Sequence, residues 1–156
     1  MGTVAGIIFA MFEMIMAAIL GDGFFMPLKM IGAIVLGQGA LQASYPLVTA
    51  VLVGVIVHMT LSAIYGAVFA AVVSAIGALQ GNRGALIGVA TIFGFILWLV
   101  NFYAIAPVLF PWFLMANPVA QLLAHTFFFG TALGLLLTGL WHKEEDFRAG
   151  SLRSER

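Results

Sequence analysis

The chain has 156 residues, of which 63% are hydrophobic and 8% are charged, and six acidic and six basic side chains give it no net charge. Soluble domains carry about 25% charged residues and nucleic-acid-binding domains carry basic clusters, so both classes are excluded. The absence of cysteine excludes disulfides, iron–sulfur clusters and thiolate zinc sites. The composition predicts an all-α integral membrane protein.

Four long apolar runs predict a bundle of four transmembrane helices, at about 4–20, 47–76, 85–110 and 119–140. Between the first two, residues 24–44 contain an apolar run that is too short to cross a bilayer. This run predicts a short interfacial or re-entrant segment. We expect one membrane domain, 1–141, followed by a polar cytoplasmic tail, 142–156. At the start of the fourth helix, Asn117 is the expected N-cap and Pro118 the first helical residue.

Small residues recur at helical spacing and predict close contacts between helices. One ladder places a small residue at every fourth position from Ser62 to Ser74, and two G-x-x-x-G pairs lie in the third and fourth predicted helices. In a membrane, small residues of this kind let two helix backbones approach each other. The predicted packing positions are Gly66, Gly88, Gly130 and Gly134.

Ionisable side chains inside apolar spans are costly and mark candidate functional positions. Glu13, His58 and His125 come from three different predicted spans and lie at similar depth. Asn101 lies in the same layer and Tyr103 slightly further out, as supporting polar groups. We expect the three ionisable side chains to face the bundle interior, because a charged group facing lipid costs at least about 2.5 kcal/mol.

The residue types in this layer leave several kinds of chemistry open. Two imidazoles and a carboxylate can bind a divalent metal, and two histidines from separate helices can bind haem or the magnesium of a chlorin. Glutamate and histidine can also exchange protons with a quinone or a neighbouring subunit. The structural alternative is a hydrogen-bonded network in which Glu13 pairs with a histidine or an asparagine.

Four stretches resemble small uncharacterised four-helix protein families of the bacterial inner membrane. They are the opening GTVAGIIFAM, the segment MPLKMIGAIVLG, HMTLSAIYGAVFA from His58 and HTFFFGTALG from His125. The resemblance covers the chain up to about Leu140. It implies the four-helix topology and draws attention to the two histidines, and it implies no particular activity.

Basic residues near the predicted spans indicate the orientation in the inner membrane. Lys29 lies on one side, whereas Arg83 and the four basic residues of the tail lie on the other. The excess of positive charge marks the cytoplasmic side. Both termini are therefore expected in the cytoplasm.

The first functional hypothesis is an accessory subunit of a larger bacterial membrane complex for respiratory or photosynthetic electron transfer. The chain has no nucleotide motif and no nucleophile constellation, so we expect no catalytic residues and no independent catalytic activity. One alternative is a metal-, haem- or chlorin-binding protein that uses Glu13, His58 and His125, and another is a small oligomeric channel or transporter. The expected partners are the lipid bilayer and either other membrane subunits or further copies of the chain, with no nucleic acid.

Overall fold

The computed structural model of the chain describes residues 1–79 and 81–139, and within these ranges it contains helices and no strand. The main helices are α1 (Gly2–Leu20), α2 (Met26–Leu36), α3 (Leu47–Ala75), α4 (Arg83–Leu109) and α5 (Pro118–Gly139). All but α2 are long and apolar enough to cross a membrane. The predicted all-helical class and its four long helices are confirmed. Leu140, the last residue of the predicted fourth helix, and the predicted tail 142–156 lie outside the described residues.

Local sequence signals set the ends of the helices. Gly21 ends α1 with a φ of 87°, and the N–H of Asp22 donates to the carbonyl of Ala17 at 2.9 Å. This left-handed cap favours glycine because a Cβ would be strained there. At the start of α5, the Asn117 side chain accepts hydrogen bonds from two backbone N–H groups of the first turn, and Pro118 follows it. The predicted start of the fourth helix is therefore confirmed.

The helices pack in two groups that α1 joins. α1 contacts both α3 and α5, whereas α2 lies along α3 and α4 lies along α5. Glycines allow the backbones to approach closely. A Cβ added to Gly66 of α3 would stand 2.6 Å from the Cα of Gly2, and one added to Gly94 of α4 would stand 2.9 Å from the Cα of Gly130. Neither helix pair has room for a larger side chain at these positions.

The short helix α2 runs antiparallel to the first part of α3. A Cβ on Gly54 would meet the carbonyl of Leu28, and a Cβ on Gly32 would meet that of Ala50. Gly54 lies about 10 Å along α3 from its first residue, at ~1.5 Å per residue. The start of α2 therefore lies beside the interior of α3, and the end of α2 lies beside the start of α3. Trp112, in the connector between α4 and α5, donates to the carbonyl of Met30 at 3.0 Å and so fixes the connector on α2.

Two of the long helices contain wide π turns, at Val100–Ile105 in α4 and Ala124–Thr131 in α5. In such turns a backbone N–H bonds to the carbonyl five residues back, as Ala106 does to Asn101. Pro107 contributes to the first π segment because it has no N–H to offer the carbonyl four residues back. π turns inside α-helices often occur at functional positions.

The small-residue ladder from Ser62 to Ser74 is packed only in its first half. Ser62 is buried against α1 and Gly66 meets Gly2, whereas Ala70 and Ser74 are exposed. The later part of α3 instead buries Phe69 and Val73, each one residue before a member of the ladder.

The two G-x-x-x-G pairs also differ in how closely they are packed. Gly130 and Gly134 both lie against α4, where a Cβ on Gly134 would stand 2.9 Å from the Cβ of Ala90. Gly88 is exposed, and no other group of the described residues lies within 4 Å of the place that its Cβ would take. The packing role predicted for Gly88 is therefore not met within the described part of the chain.

Candidate functional site

A cavity of about 440 Å³ lies between the helices and is lined mainly by apolar side chains from all five of them. It extends from Tyr65 and Phe129, in the interior, to Asp22 and Asn117 in the loops. The last two residues are exposed. The cavity therefore reaches the surface at the end of the bundle where α1 ends and α5 begins.

Glu13 is buried in the wall of this cavity, with 5% of its surface exposed. The Nε2 of Gln121 donates a hydrogen bond to its Oε2. Its other oxygen, Oε1, is buried and has no hydrogen-bond partner among the described residues. A buried carboxyl oxygen without a partner costs free energy, which makes Glu13 a candidate functional residue of this cavity wall.

His58 and His125 line the same cavity, and each bonds to a backbone carbonyl. The Nε2 of His58 lies 2.8 Å from the carbonyl oxygen of Gly6, and the Nδ1 of His125 lies 2.9 Å from that of Gln121. Because a carbonyl only accepts, these nitrogens donate, and the second nitrogen of each neutral imidazole is an acceptor. The ring of Phe9 packs against both imidazoles, with centroid distances of 5.3 and 4.8 Å.

Of the two supporting residues, the structure places one in the cavity wall. Asn101 lines the cavity, and its Oδ1 accepts a hydrogen bond of 3.3 Å from the hydroxyl of Tyr65. Tyr103 is 66% exposed and packs edge-on against Trp98, at 5.2 Å between centroids. Side chains two residues apart on a helix point to roughly opposite sides, which explains why Asn101 and Tyr103 face different sides. Tyr65 of α3 therefore takes the place expected for Tyr103.

The three predicted ligands share one cavity, but they do not form a metal site. No group of three or more His, Asp or Glu side chains among residues 1–79 and 81–139 could hold a metal ion. The divalent-metal alternative therefore has no ligand set in this part of the chain. Haem or chlorin binding stays a prediction, as do the accessory-subunit role and the channel alternative.

Gln121 is the site residue that the sequence analysis missed. The predicted hydrogen-bond partner of Glu13 was a histidine or an asparagine, and the structure shows the amide of Gln121 instead. A signal was present in the sequence. Gln121 precedes His125 by four residues, which places both on one helix face, and it is a polar side chain within a predicted apolar span.

Comparisons with protein-family models, with curated proteins and with solved structures found no match to this chain. The resemblance to small four-helix inner-membrane families therefore stays a prediction. What the cavity can bind follows from the chemistry of its own side chains.

Proposed function

We propose that the protein crosses the bacterial inner membrane four times and binds a small, mainly apolar molecule in the cavity between its helices. Four helices of sufficient length and apolar composition support the insertion. The cavity volume, about 440 Å³, falls within the range of ~300–1,000 Å³ that is typical of ligand pockets. The observation that carries the proposal is the position of Glu13 in the wall of an apolar cavity, with a buried Oε1 that has no hydrogen-bond partner among the described residues.

The position of α2 supports a re-entrant segment in this membrane arrangement. After α1 ends at Leu20, the chain returns and α2 begins beside Gly54, about 10 Å along α3. A backbone that re-enters a bilayer is tolerated where it is covered by protein, and the contact with α3 provides that cover. The start of α2 also contributes Met26 and Pro27 to the cavity wall.

The proposed orientation predicts which loops are accessible from each side of the membrane. The chain has no cysteine, so a single introduced cysteine reports its own position. We expect Ser44→Cys, which is exposed before α3, to react with an impermeant maleimide in intact cells. Gly84→Cys, at the start of α4, should react only after the cells are opened. The opposite pattern would show that the orientation inferred from the basic residues is wrong.

Filling the cavity should weaken ligand binding. Ala17 is buried and lines the cavity, whereas its neighbour Ala18 is exposed on the outside of the same helix. Ala17→Phe should weaken the binding of the neutral apolar probe 1-aminoanthracene by about 10-fold or more, a loss of at least ~1.4 kcal/mol, because the added ring takes up space that the probe needs. The measurement is a fluorescence titration of purified protein in detergent.

Ala18→Phe is the matched control, since it adds the same ring to the outer face of α1. We expect it to bind the probe with the affinity of the unmodified protein. Equal affinity of both variants, or no saturable binding by the unmodified protein, would contradict the proposal. Thermal unfolding of both variants shows whether the Ala17→Phe protein is still folded when its binding is measured.

A further inference from the structure

The charges around the cavity have one sign. The described residues contain two acidic side chains, Glu13 and Asp22, and both line the cavity. They contain two basic side chains, Lys29 and Arg83, and neither lines it. The ammonium of Lys29 instead donates to the backbone carbonyl of Leu41 at 3.2 Å. A bound anion would therefore find no positive side chain in this wall.

No basic side chain of the described residues accompanies Glu13 in the cavity wall. Gln121 anchors Oε2, which fixes the orientation of the carboxyl group, and Oε1 is buried without a hydrogen-bond partner among the described residues. Buried charges in proteins are stable when they are paired. Because no basic side chain of the described residues lines the cavity, a cationic molecule bound there would supply the counter-charge that an ionised Glu13 lacks in this wall.

The remaining groups of the wall also suit a positive charge. The protons of His58 and His125 are used in bonds to backbone carbonyls, so each imidazole presents an acceptor nitrogen rather than a donor. The aromatic rings in the wall attract cations through their faces. These rings belong to Phe9, Tyr65, Phe102, Phe110, Phe113 and Phe129.

We infer that the ligand of this cavity is a lipophilic organic cation, with its charge beside the carboxyl group of Glu13 and its apolar body among the aromatic side chains. This inference rests on the proposed function, because it names the chemical class of the molecule that the same cavity binds. Asp22, exposed at the mouth, adds a second negative charge on the entry path. Such a charge raises the local concentration of cations before they enter.

A pair of ions with similar shape and opposite charge distinguishes binding that depends on the charge of the ligand from binding that depends on its shape. Tetraphenylphosphonium and tetraphenylborate both present four phenyl rings around a central atom. Their binding is measured by equilibrium dialysis against the protein in phosphatidylcholine nanodiscs, with empty nanodiscs as the blank. We expect saturable binding of tetraphenylphosphonium and no retention of tetraphenylborate beyond the blank. Equal binding of the two ions would overturn the inference without requiring any variant.

The Glu13→Gln variant tests the proposed counter-charge directly. Its amide oxygen can still accept from Gln121, but it carries no charge. We expect the affinity for tetraphenylphosphonium to fall by about 10- to 100-fold, the size of a lost contact with a charged partner. Thermal unfolding of the variant shows whether it is folded when its binding is measured. An unchanged affinity for the phosphonium would overturn the inference.

The two proposals fail in different ways. If 1-aminoanthracene binds in the cavity and tetraphenylphosphonium does not, the inference of a cationic ligand is wrong and the proposed binding function stands. If neither probe shows saturable binding that Ala17→Phe removes, the proposed function itself is wrong. Binding of both probes that Ala17→Phe removes, with a loss of phosphonium affinity in Glu13→Gln, supports both.

Discussion

Gly94→Leu should destabilise the protein by more than about 3 kcal/mol, above the ~1–3 kcal/mol that is typical of over-packed cores. A side chain at Gly94 meets backbone atoms of α5, namely the carbonyl of His125 and the Cα of Gly130 at 2.9 Å. Backbone atoms cannot rotate away as a side chain can, so α4 and α5 would have to separate. The free energy of unfolding in mixed micelles measures the loss.

Gly88→Leu is the matched control on the same helix. Gly88 is exposed, and the place of its Cβ has no other described group within 4 Å. Leucine there also has a better helix propensity than glycine, by roughly 0.8 kcal/mol. We expect the stability of this variant to match or slightly exceed that of the unmodified chain. Equal losses in both variants would show that α4 and α5 do not pack as described.

The second large effect is expected at Gln121. Gln121→Leu removes the donor to Glu13 and leaves both carboxyl oxygens without a protein partner in the described residues. A buried polar group left without its partner costs about 1–3 kcal/mol, and more when it is charged. We expect a loss of at least about 2 kcal/mol in the free energy of unfolding. Gln42→Leu, at an exposed glutamine, should leave stability unchanged within ~0.5 kcal/mol.

The double variant Glu13→Leu with Gln121→Leu distinguishes a lost pair from a disturbed helix. When both partners become apolar, no buried polar group is left unsatisfied, and such replacements can be nearly neutral. The double variant should therefore recover most of the stability that Gln121→Leu loses. If the stability that the double variant loses equals the sum of the losses in the single variants Glu13→Leu and Gln121→Leu, the hydrogen bond between Gln121 and Glu13 does not stabilise the contact between these helices.

The positions of the helices were predictable because their signals are local. Continuous apolar runs marked the four long helices, and Asn117 marked the start of the fourth through capping chemistry. The direction of α2 was not predictable in this way. It depends on Gly54, whose neighbour in the structure is the carbonyl of Leu28, and a single glycine in a long apolar run does not reveal which backbone it meets.

The candidate site was predictable in part. Glu13, His58 and His125 stood out because ionisable groups are rare in apolar spans, and the structure places all three in one cavity wall. Their bonding partners were not predictable, since two of them are backbone carbonyls, which every residue carries. The cavity itself depends on how far the helices stand apart, and that distance is set by glycines on other faces, such as Gly2 and Gly66.

The π segment Ala124–Thr131 has a consequence for the evolution of this chain. Gln121 and His125 form one ladder of period four, and Gly130 and Gly134 form another, but the step from His125 to Gly130 is five. On an unbroken α-helix that step would turn the two ladders about 140° apart. The wide π turns contain one more residue per turn than an α-helix would, so the helix accommodates a one-residue insertion here without forming a loop. In a homologue with one residue fewer between His125 and Gly130, both ladders would lie on one face of an ordinary α-helix. A sequence alignment of the two chains would then need a gap of one residue inside the helix.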